Sequence, residues 1–333
     1  MAKQVSLPPY TFGVELECFG VPATVVAWTL VQAGIPAVDA VHGIVGERHD
    51  REAAASARYD STTWVVGSDG SVNGPHPLEI KSPVLKGPEG IATLRKALRT
   101  LTSLGLKTDH STGLHVHVGV KNAPSDYAYT PKTSVELLKL WAKNEKEIEA
   151  LVRKSRRAGQ NGYCRPASER LKDLETRVTE TPVYTCEAPP PNWRQYRDVD
   201  WETYRLYGYG EHRWASDGRK HMLPEPKALS TMTLDALGLM SNHYDAVSLA
   251  SLRKYGTIEI RLHHGSLDDC EVTNWVLFVL GQVDMARKID RGQVNKGRGR
   301  KPGLFANLPL GLRSHFKKQA AKFEAEEYDG RRR

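Results

Sequence analysis

Two glutamates, Glu15 and Glu17, alternate with apolar residues in the segment FGVELEC at residues 12–18. In an extended strand, alternate side chains point to opposite faces, so the apolar residues share one face and both carboxylates share the other. Neighbouring carboxylates repel one another unless a cation lies between them or one of them is protonated. The spacing therefore predicts a strand whose polar face binds a cation.

Three later segments repeat this alternation of apolar and charged residues. The charged residues predicted to share a face are His115 and His117 in 113–120, Glu259, Arg261 and His263 in 256–263, and Glu79 and Lys81 in 78–81. A turn predicted at Asp69-Gly70-Ser71 precedes the strand at 78–81. Each pattern alone is common on a solvated sheet face. Four of them, far apart in sequence, predict an antiparallel sheet with helices on one face and a charged basin on the other.

The donor types limit the chemistry of this face. Several carboxylates with one or two imidazoles favour Mg²⁺ or Mn²⁺ over zinc. Mg²⁺ among acids usually binds phosphates, and Arg261 beside Glu259 supplies the fixed cation that phosphoryl chemistry needs. The sequence has no Walker loop and no glycine-rich dinucleotide fingerprint, so a nucleotide would bind on the charged face itself.

The composition is that of an ordinary globular protein, with 333 residues, 40% of them hydrophobic and 26% charged. No apolar run has the length of a membrane span, and no secretory signal is visible. The four cysteines form no C-x-x-C pair, so nothing indicates a zinc knuckle or a disulfide framework. We expect a cytoplasmic protein with no membrane partner.

The net charge of +8 belongs to the C-terminal tail, because residues 291–333 hold twelve Lys and Arg against four acids and residues 1–290 are neutral. We therefore divide the chain into a catalytic domain at 1–290 and a basic tail at 291–333. In the tail a Gly-Arg linker precedes a short helix predicted at 313–327. Two interpretations stay open: the tail contacts nucleic-acid phosphates, or it is a plain solubilising terminus.

Helical spacing of apolar residues predicts longer helices at 22–33, 88–104, 133–153 and 268–289. Between the third helix and the last strand lies an irregular insert, about 155–225, that is rich in Pro, Tyr, Trp and Arg. Such an insert is either a surface excursion whose rings pack on the body, or a lid that recognises substrate.

Taken in order, the motifs resemble the amidoligase family, relatives of glutamine synthetase and glutamate–cysteine ligase found in bacteria, fungi and tailed phages. The resemblance covers about 10–285, and if the protein is phage-encoded we expect it in the host cytoplasm. It rests on FGVELE, the Asp-Gly-Ser turn, EIKSPV at 79–84, GLHVHV, GTIEIR and GSLD at 265–268. One departure is HYDAVS at 243–248, where we would expect Arg-Tyr and a downstream Asn.

The resemblance implies an α+β fold with a curved antiparallel sheet of the glutamine synthetase type. Its concave face would hold metal and ATP, and its other face would pack against helices. The implied reaction is ATP-dependent: a carboxylate attacks ATP to give an acyl-phosphate, and an amine then displaces phosphate to form an amide. The implied metal ligands are Glu15, Glu17, Glu79, His115 and Glu259, with Asp69 close by. The implied ATP contacts are His115, His117, Arg261 and Lys81, and the implied catalytic residues are Arg261, His117 and Glu259.

Two other functions stay open on the residues alone. A catalytically inactive scaffold acting as a nucleic-acid-associated binding protein would use the basic tail and the insert. A metal-dependent hydrolase would be built on the His-x-His strand, although it would need further His or Asp ligands. For the ligase, we expect small-molecule carboxylate and amine substrates, or a nucleic-acid- or nucleotide-linked substrate reached through the tail.

Overall fold

The computed structural model describes residues 7–45, 48–49, 62–157, 162, 164–180, 234, 237–238, 241–294, 303–305 and 308–330. The aromatic and Arg-rich part of the predicted insert, 184–214, lies outside the described residues. The Gly-Arg linker at 296–302 lies outside them as well.

Ten strands within the described residues form one sheet. They are β1 (Thr11–Cys18), β2 (Ala37–Asp39), β3 (Ile44–Val45), β4 (Arg48–His49), β5 (Trp64–Ser68), β6 (Leu78–Lys81), β7 (Leu85–Lys86), β8 (Gly113–Gly119), β9 (Val247–Ser248) and β10 (Thr257–His264). Their order is β4-β3-β2-β5-β6-β1-β8-β10-β9, and β7 also pairs with β1. Only β2 and β5 pair in parallel among these strands. The predicted α+β class and the mostly antiparallel sheet are confirmed.

Eight α-helices lie within the described residues. They are α1 (Ala23–Gln32), α2 (Gly87–Ser103), α3 (Pro131–Lys143), α4 (Glu145–Glu149), α5 (Ala167–Glu180), α6 (Ser251–Tyr255), α7 (Asp269–Asp290) and α8 (Leu310–Gly330). The helices predicted at 22–33, 88–104 and 268–289 are confirmed. None of the described helices combines the length and the apolar character needed to cross a lipid bilayer.

The single helix predicted at 133–153 is wrong, because the chain divides it into α3 and α4 at Asn144. The side-chain amide of Asn144 donates to the carbonyl of Leu140 at 2.7 Å. Asn144 has φ −106° and ψ 18°, outside the regular helix. Asn side chains compete in this way for backbone groups, and an apolar stripe that continues across the break does not reveal it.

The apolar side chains of the central strands lie in the core, as their alternation predicts. They share one cluster of buried residues with side chains of α2, α3 and α7. The strand residues of this cluster include Phe12, Val14, Leu16, Leu114, Val116, Val118, Ile258 and Ile260. A slip of one residue in β1 would turn Glu15 and Glu17 into this apolar layer, so the packing fixes which face the carboxylates occupy.

The last strand departs from the predicted alternation. β10 and β8 pair Ile260 with Val116 but His263 with Leu114, so β10 has one extra residue between these pairs. This β-bulge turns His263 towards the helices, where it is fully buried and its ring centroid lies 4.7 Å from that of Trp275. The prediction that His263 shares a face with the charged residues before it in β10 is therefore wrong.

The C-terminal helix α8 packs on the body of the protein. Leu312, Phe316 and Phe323 are all buried. The ring centroid of Phe316 lies 5.2 Å from that of Phe278 in α7. The helix predicted at 313–327 is confirmed and is longer than predicted.

Candidate active site

The register of the sheet brings the predicted residues of four strands together. Glu15 of β1 lies between Lys81 of β6 and His115 of β8, and Glu259 of β10 lies opposite His117 of β8. The residues of this charged face, which we call the basin, are Glu15, Glu17, Glu79, Lys81, His115, His117, Glu259 and Arg261. Eight of the nine residues predicted for the site therefore lie in one place.

Glu15 lies at the centre of the basin. Its carboxylate is 3.0 Å from Lys81 Nζ, 3.2 Å from His115 Nδ1 and 3.6 Å from His117 Nε2. Burial would raise the pKa of Glu15, but the hydrogen bond with His115 and the nearby imidazole of His117 outweigh burial and hold this pKa well below its usual value. The central carboxylate is therefore ionised at neutral pH.

Glu79 shares Lys81 with Glu15, since Lys81 Nζ lies 2.7 Å from Glu79 Oε2. Burial raises the pKa of Glu79 to about 7, and the negative charge of Glu15 adds to this effect. The ammonium of Lys81 only partly offsets them. Two carboxylates of very different acidity thus share one ammonium.

Asp69 is the predicted residue that stands apart. Its Oδ1 accepts hydrogen bonds from the Ser71 backbone N–H and from Ser71 Oγ, both at 2.7 Å, which is the turn that the sequence predicts. Its charge also contributes to the raised pKa of Glu79, so it lies within electrostatic reach of the basin. Its carboxylate nevertheless belongs to the turn.

Glu259 and Arg261 form an ion pair at the other end of the basin, between Glu259 Oε1 and Arg261 Nη1. Ser251 Oγ donates to Glu259 Oε2 at 3.3 Å. Glu259 is almost fully buried, whereas the side chain of Arg261 is 15% exposed. The guanidinium therefore keeps part of its surface available to a ligand in the basin.

The two histidines of the basin each have a nitrogen without a hydrogen-bond partner among the described residues. These are the buried Nε2 atoms of His115 and His117. The first lies 3.3 Å from Glu17 Oε1 and the second 3.6 Å from Glu15 Oε1, without hydrogen-bond alignment. Burial would lower the pKa of His117, but the nearby carboxylates of Glu15 and Glu259 raise it overall.

Two groups of three residues in the basin could each hold a metal ion. One is Glu15, His117 and Glu259, and the other is Glu15, Glu79 and His115. Within each group the ligand atoms lie within 4.8 Å of one another. Carboxylate oxygens with one imidazole form a donor set suited to Mg²⁺ or Mn²⁺. We call these groups the two triads, and Glu15 belongs to both.

The order of the motifs along the chain also matches a known family. Residues 8–283 match the sequence model of the family described as "Putative amidoligase enzyme". The chain belongs to the amidoligase family. Membership indicates a ligase-type enzyme, and it confirms the resemblance drawn from the motifs. No curated protein matches the chain.

This amidoligase-family chain has a third group of similar composition outside the basin, which we call the rear cluster: His263, His264 and Glu271. The two imidazole rings stack 4.2 Å apart at 20°. His264 Nδ1 accepts the Arg153 backbone N–H at 3.4 Å, so the proton of this ring lies on Nε2, 3.1 Å from Glu271 Oε1. Nearly parallel stacked rings cannot direct in-plane lone pairs at one ion. In this arrangement the rear cluster is a hydrogen-bonded structure rather than a metal site.

The departure from the expected family pattern at 243–248 has a structural counterpart. Asp245 is buried, and its two oxygens lie 2.9 Å from Arg165 Nε and 3.1 Å from Arg170 Nε. The backbones of Arg165 and Asp245 also form a bridge. In this member of the family, Asp245 therefore ties the start of the predicted insert to β9, the strand beside β10.

Sequence reasoning missed the residues that support the basin from other segments. Thr257 Oγ1 lies 3.1 Å from His117 Nδ1. Arg156 Nη2 and Cys164 Sγ both donate to the backbone carbonyl of Arg261. Arg156 belongs to a basic run at 153–157 that shows no strand or helix period. Its positive charge was therefore the only feature that the sequence offered.

Proposed function

We propose that this amidoligase-family protein is an ATP-dependent carboxylate–amine ligase whose basin binds the phosphates of ATP together with Mg²⁺ or Mn²⁺. The observation that carries the proposal is the position of Glu15, one ionised carboxylate shared by two triads on a single sheet face. Mg²⁺ in a cavity of several acids commonly binds phosphates, because it bridges their oxygens and neutralises their charge.

The residues of the basin fit a divalent cation. Buried polar atoms in folded proteins nearly always have partners, and the Nε2 atoms of His115 and His117 have none among the described residues. Both nitrogens face carboxylate oxygens across gaps of 3.3 to 3.6 Å. A cation held by Glu15, His117 and Glu259 would lie in front of His117 Nε2, which is 3.6 Å from Glu15 and 3.9 Å from Glu259. His115 Nε2 faces Glu17, which belongs to neither triad. When bound, the cation would stabilise negative charge on the phosphoryl group during transfer.

In the first step of the proposed reaction, a carboxylate oxygen of the acid substrate attacks the γ-phosphorus of ATP. The bond to the bridging oxygen breaks and ADP leaves. Arg261 would hold the transferring phosphoryl group, because its planar guanidinium can contact two phosphate oxygens. His117, whose pKa the carboxylates of Glu15 and Glu259 raise, would present a second cation beside it.

In the second step, the amine nitrogen attacks the acyl carbon of the acyl-phosphate and inorganic phosphate leaves. The amine loses a proton, which a carboxylate of the basin such as Glu259 would accept. To hold the phosphoryl group in the first step, Arg261 must break its ion pair with Glu259. The ion pair between them therefore represents the ligand-free arrangement of the same residues.

We also propose that the sheet corresponds to the curved sheet of glutamine synthetase, with the basin on its concave face. The support is the run of four neighbouring antiparallel strands, β6-β1-β8-β10, that carry the basin. Lys81 would contact the nucleotide once a metal occupies the carboxylates that now hold it. Glu17 would support the triad of Glu79 through His115, which it approaches at 3.3 Å.

The experiment is to incubate the protein with Mg-ATP and pools of amino acids, polyamines and nucleotides, and to measure the release of ADP. We expect release that requires an acid, an amine and a divalent metal. Glu15→Gln should abolish it, while the matched variant Glu271→Gln in the rear cluster should retain it. Failure of the folded wild-type protein to bind Mg-ATP would overturn the proposal.

A further inference from the structure

The β-bulge of β10 leaves the carbonyl of Arg261 outside the paired positions of β10 and β8. A buried backbone oxygen needs a hydrogen-bond partner. Arg156 Nη2 donates to this oxygen at 2.7 Å, and Cys164 Sγ donates to it at 3.1 Å. The backbone N–H of Arg261 donates to the carbonyl of Ala246 at 3.0 Å. Residues outside β6, β1, β8 and β10 thus hold both the backbone N–H and the backbone carbonyl of Arg261.

Gly113, the first residue of β8, provides the room for Arg156. A Cβ at this position would lie 2.9 Å from Arg156 Nη2 and 3.2 Å from Glu17 Oε2, which is closer than ordinary contact. The backbone N–H of Gly113 donates to the same Glu17 oxygen at 2.6 Å. The missing side chain therefore leaves room at the start of β8 for both the Arg156 guanidinium and the Glu17 carboxylate, beside the basin.

Arg156 is buried, and it acts on the basin through the backbone of Arg261. The residue is only 3% exposed, and its Nε has no hydrogen-bond partner among the described residues. It contacts the backbone of Arg261, whose own side chain reaches Glu259. A β-bulge re-aims the side chains within it, so the group that fixes the bulge also fixes their direction.

We propose that Arg156 is a positioning residue of the basin. By holding the carbonyl of Arg261, it fixes the bulge and aims the Arg261 guanidinium at the basin, and Gly113 is the cradle that makes this contact possible. The link from Arg261 to phosphate rests on the proposed function. The packing of Arg156 over Gly113 does not, so the two parts can fail separately.

The packing is tested by a double-mutant cycle on the full chain, with melting temperature as the readout. Gly113→Ala in the wild-type background should lower the melting temperature by about 3 °C or more, because the added methyl group displaces Arg156. In the Arg156→Ala background the same substitution should cost less than about half as much. An equal cost in both backgrounds would overturn the assignment of Gly113 as the cradle.

The positioning is tested by the reactivity of Arg261 towards phenylglyoxal, an arginine-specific reagent, read by mass spectrometry. Arg156→Lys should raise the modification rate of Arg261 about five-fold or more, because Lys keeps the charge and loses the planar fork. The exposed Arg99 serves as an internal reference whose rate should not change. Arg153→Lys, in the same basic run, is the matched control variant. An unchanged Arg261 rate in folded Arg156→Lys protein would overturn the inference.

Ligand binding separates positioning from a general structural role. Arg156→Lys and Arg261→Lys should each weaken Mg-ATP binding about five-fold or more, and the double variant should be no weaker than the worse single variant, because both act through one group. The Mn²⁺ affinity of Arg156→Lys should not fall by more than about two-fold from that of the wild type, since Arg156 lies in neither triad. Additive losses, or a parallel loss of Mn²⁺ affinity, would contradict the inference. Absence of Mg-ATP binding by the wild type would instead overturn the proposed function, and the reactivity test would still decide the role of Arg156.

Discussion

The triads of the basin and the rear cluster are each built from His and Glu side chains whose ligand atoms lie within 4.8 Å of one another, yet their chemistry differs. In the rear cluster the Glu271 carboxylate accepts hydrogen bonds from Ser266 Oγ and Gln319 Nε2, and it faces His264 at 3.1 Å. In the basin, the Nε2 atoms of His115 and His117 lack hydrogen-bond partners among the described residues. His263 Nε2 of the rear cluster also lacks a partner among the described residues, but its ring packs between those of His264 and Trp275. The two basin nitrogens instead face carboxylate oxygens at 3.3 and 3.6 Å, and this is what makes them available to a cation.

The origin of this difference is the β-bulge. Before the bulge, the charged residues of β10 face the basin with those of β8. After it, His263 turns to the helices and His264 meets Glu271 of α7 and the ring of Phe323 of α8, at a centroid distance of 5.2 Å. One extra residue thus divides a single strand between a binding surface and a structural junction. Four predictions test that division, in order of decreasing expected effect.

The largest effect is expected on the stability of the fold, from a substitution in α8, the helix that packs beside the rear cluster. Phe316 of α8 is fully buried against α7, so Phe316→Ala should lower the free energy of unfolding by about 3–5 kcal/mol. Mn²⁺ affinity of the protein that remains folded should be unchanged, because α8 does not reach the triads. Urea unfolding and calorimetric Mn²⁺ titration measure the two quantities. Loss of metal affinity in folded protein would show that the rear and the basin are not separate.

Deletion of 296–333 extends this test to the basic tail. It should lower the melting temperature as Phe316→Ala does, because it removes the buried face of α8. If the tail also recruits nucleic acid, the deletion should abolish salt-sensitive DNA retention, which Phe316→Ala leaves intact. An unchanged melting temperature would show that α8 is not anchored.

The second effect is expected on metal affinity, from a substitution in the basin. Glu15→Gln should weaken Mn²⁺ binding by more than roughly 100-fold, because the loss of a supporting partner alone costs about 10–100-fold and Glu15 is shared by both triads. Glu271→Gln, the matched change in the rear cluster, should leave Mn²⁺ affinity within about two-fold of wild type. Equal losses in the two variants would show that the rear cluster binds metal too.

The sequence predicts the basin better than it predicts what surrounds it. In β1, β6 and β8 the apolar residues alternate, and burial of that face leaves only one orientation for the charged residues. In β10 the alternation continues through Arg261 and Leu262 as if no residue were extra, so the bulge shows only in the pairing with β8.

The support of the basin is hidden for a related reason. Arg156 contacts Arg261 of the basin, which is 105 positions away in the sequence. Arg156 fits there only because Gly113 has no side chain. Neither produces a periodic pattern. Contacts made by the packing of distant segments, rather than by alternation within one strand, therefore required the structure.

The third effect concerns a difference in metal affinity between the two triads, because Lys81 occupies only one of them. Lys81 Nζ bridges two members of one triad, at 3.0 Å from Glu15 and 2.7 Å from Glu79. A metal in that triad must displace this ammonium, since like charges at such distances repel. Lys81→Met should therefore tighten Mn²⁺ binding there by about ten-fold. Lys86→Met, an exposed lysine on β7, is the control, and weaker binding by Lys81→Met would contradict this account.

The smallest effect is a difference in pH dependence between Glu79 of the basin and Glu271 of the rear cluster. Burial and the charge of Glu15 raise the pKa of Glu79 from 4.5 to about 7, so the folded chain keeps a proton that the unfolded chain releases between these values. The wild type should therefore lose stability relative to Glu79→Gln as the pH rises from 4.5 to about 7, by on the order of 1 kcal/mol.

For Glu271, burial acts in the opposite direction to its hydrogen bonds from His264 and Ser266, and the hydrogen bonds hold its pKa well below the usual 4.5. Its contribution is complete above that value and is lost only as the pH falls towards the lowered pKa. The stability difference between the wild type and Glu271→Gln should therefore stay constant over the range in which Glu79→Gln changes. Urea unfolding of the three proteins across that range measures both curves. A flat difference for Glu79→Gln would show that its carboxylate is already ionised in the fold, held by Lys81, and that the basin carries one more negative charge than we infer.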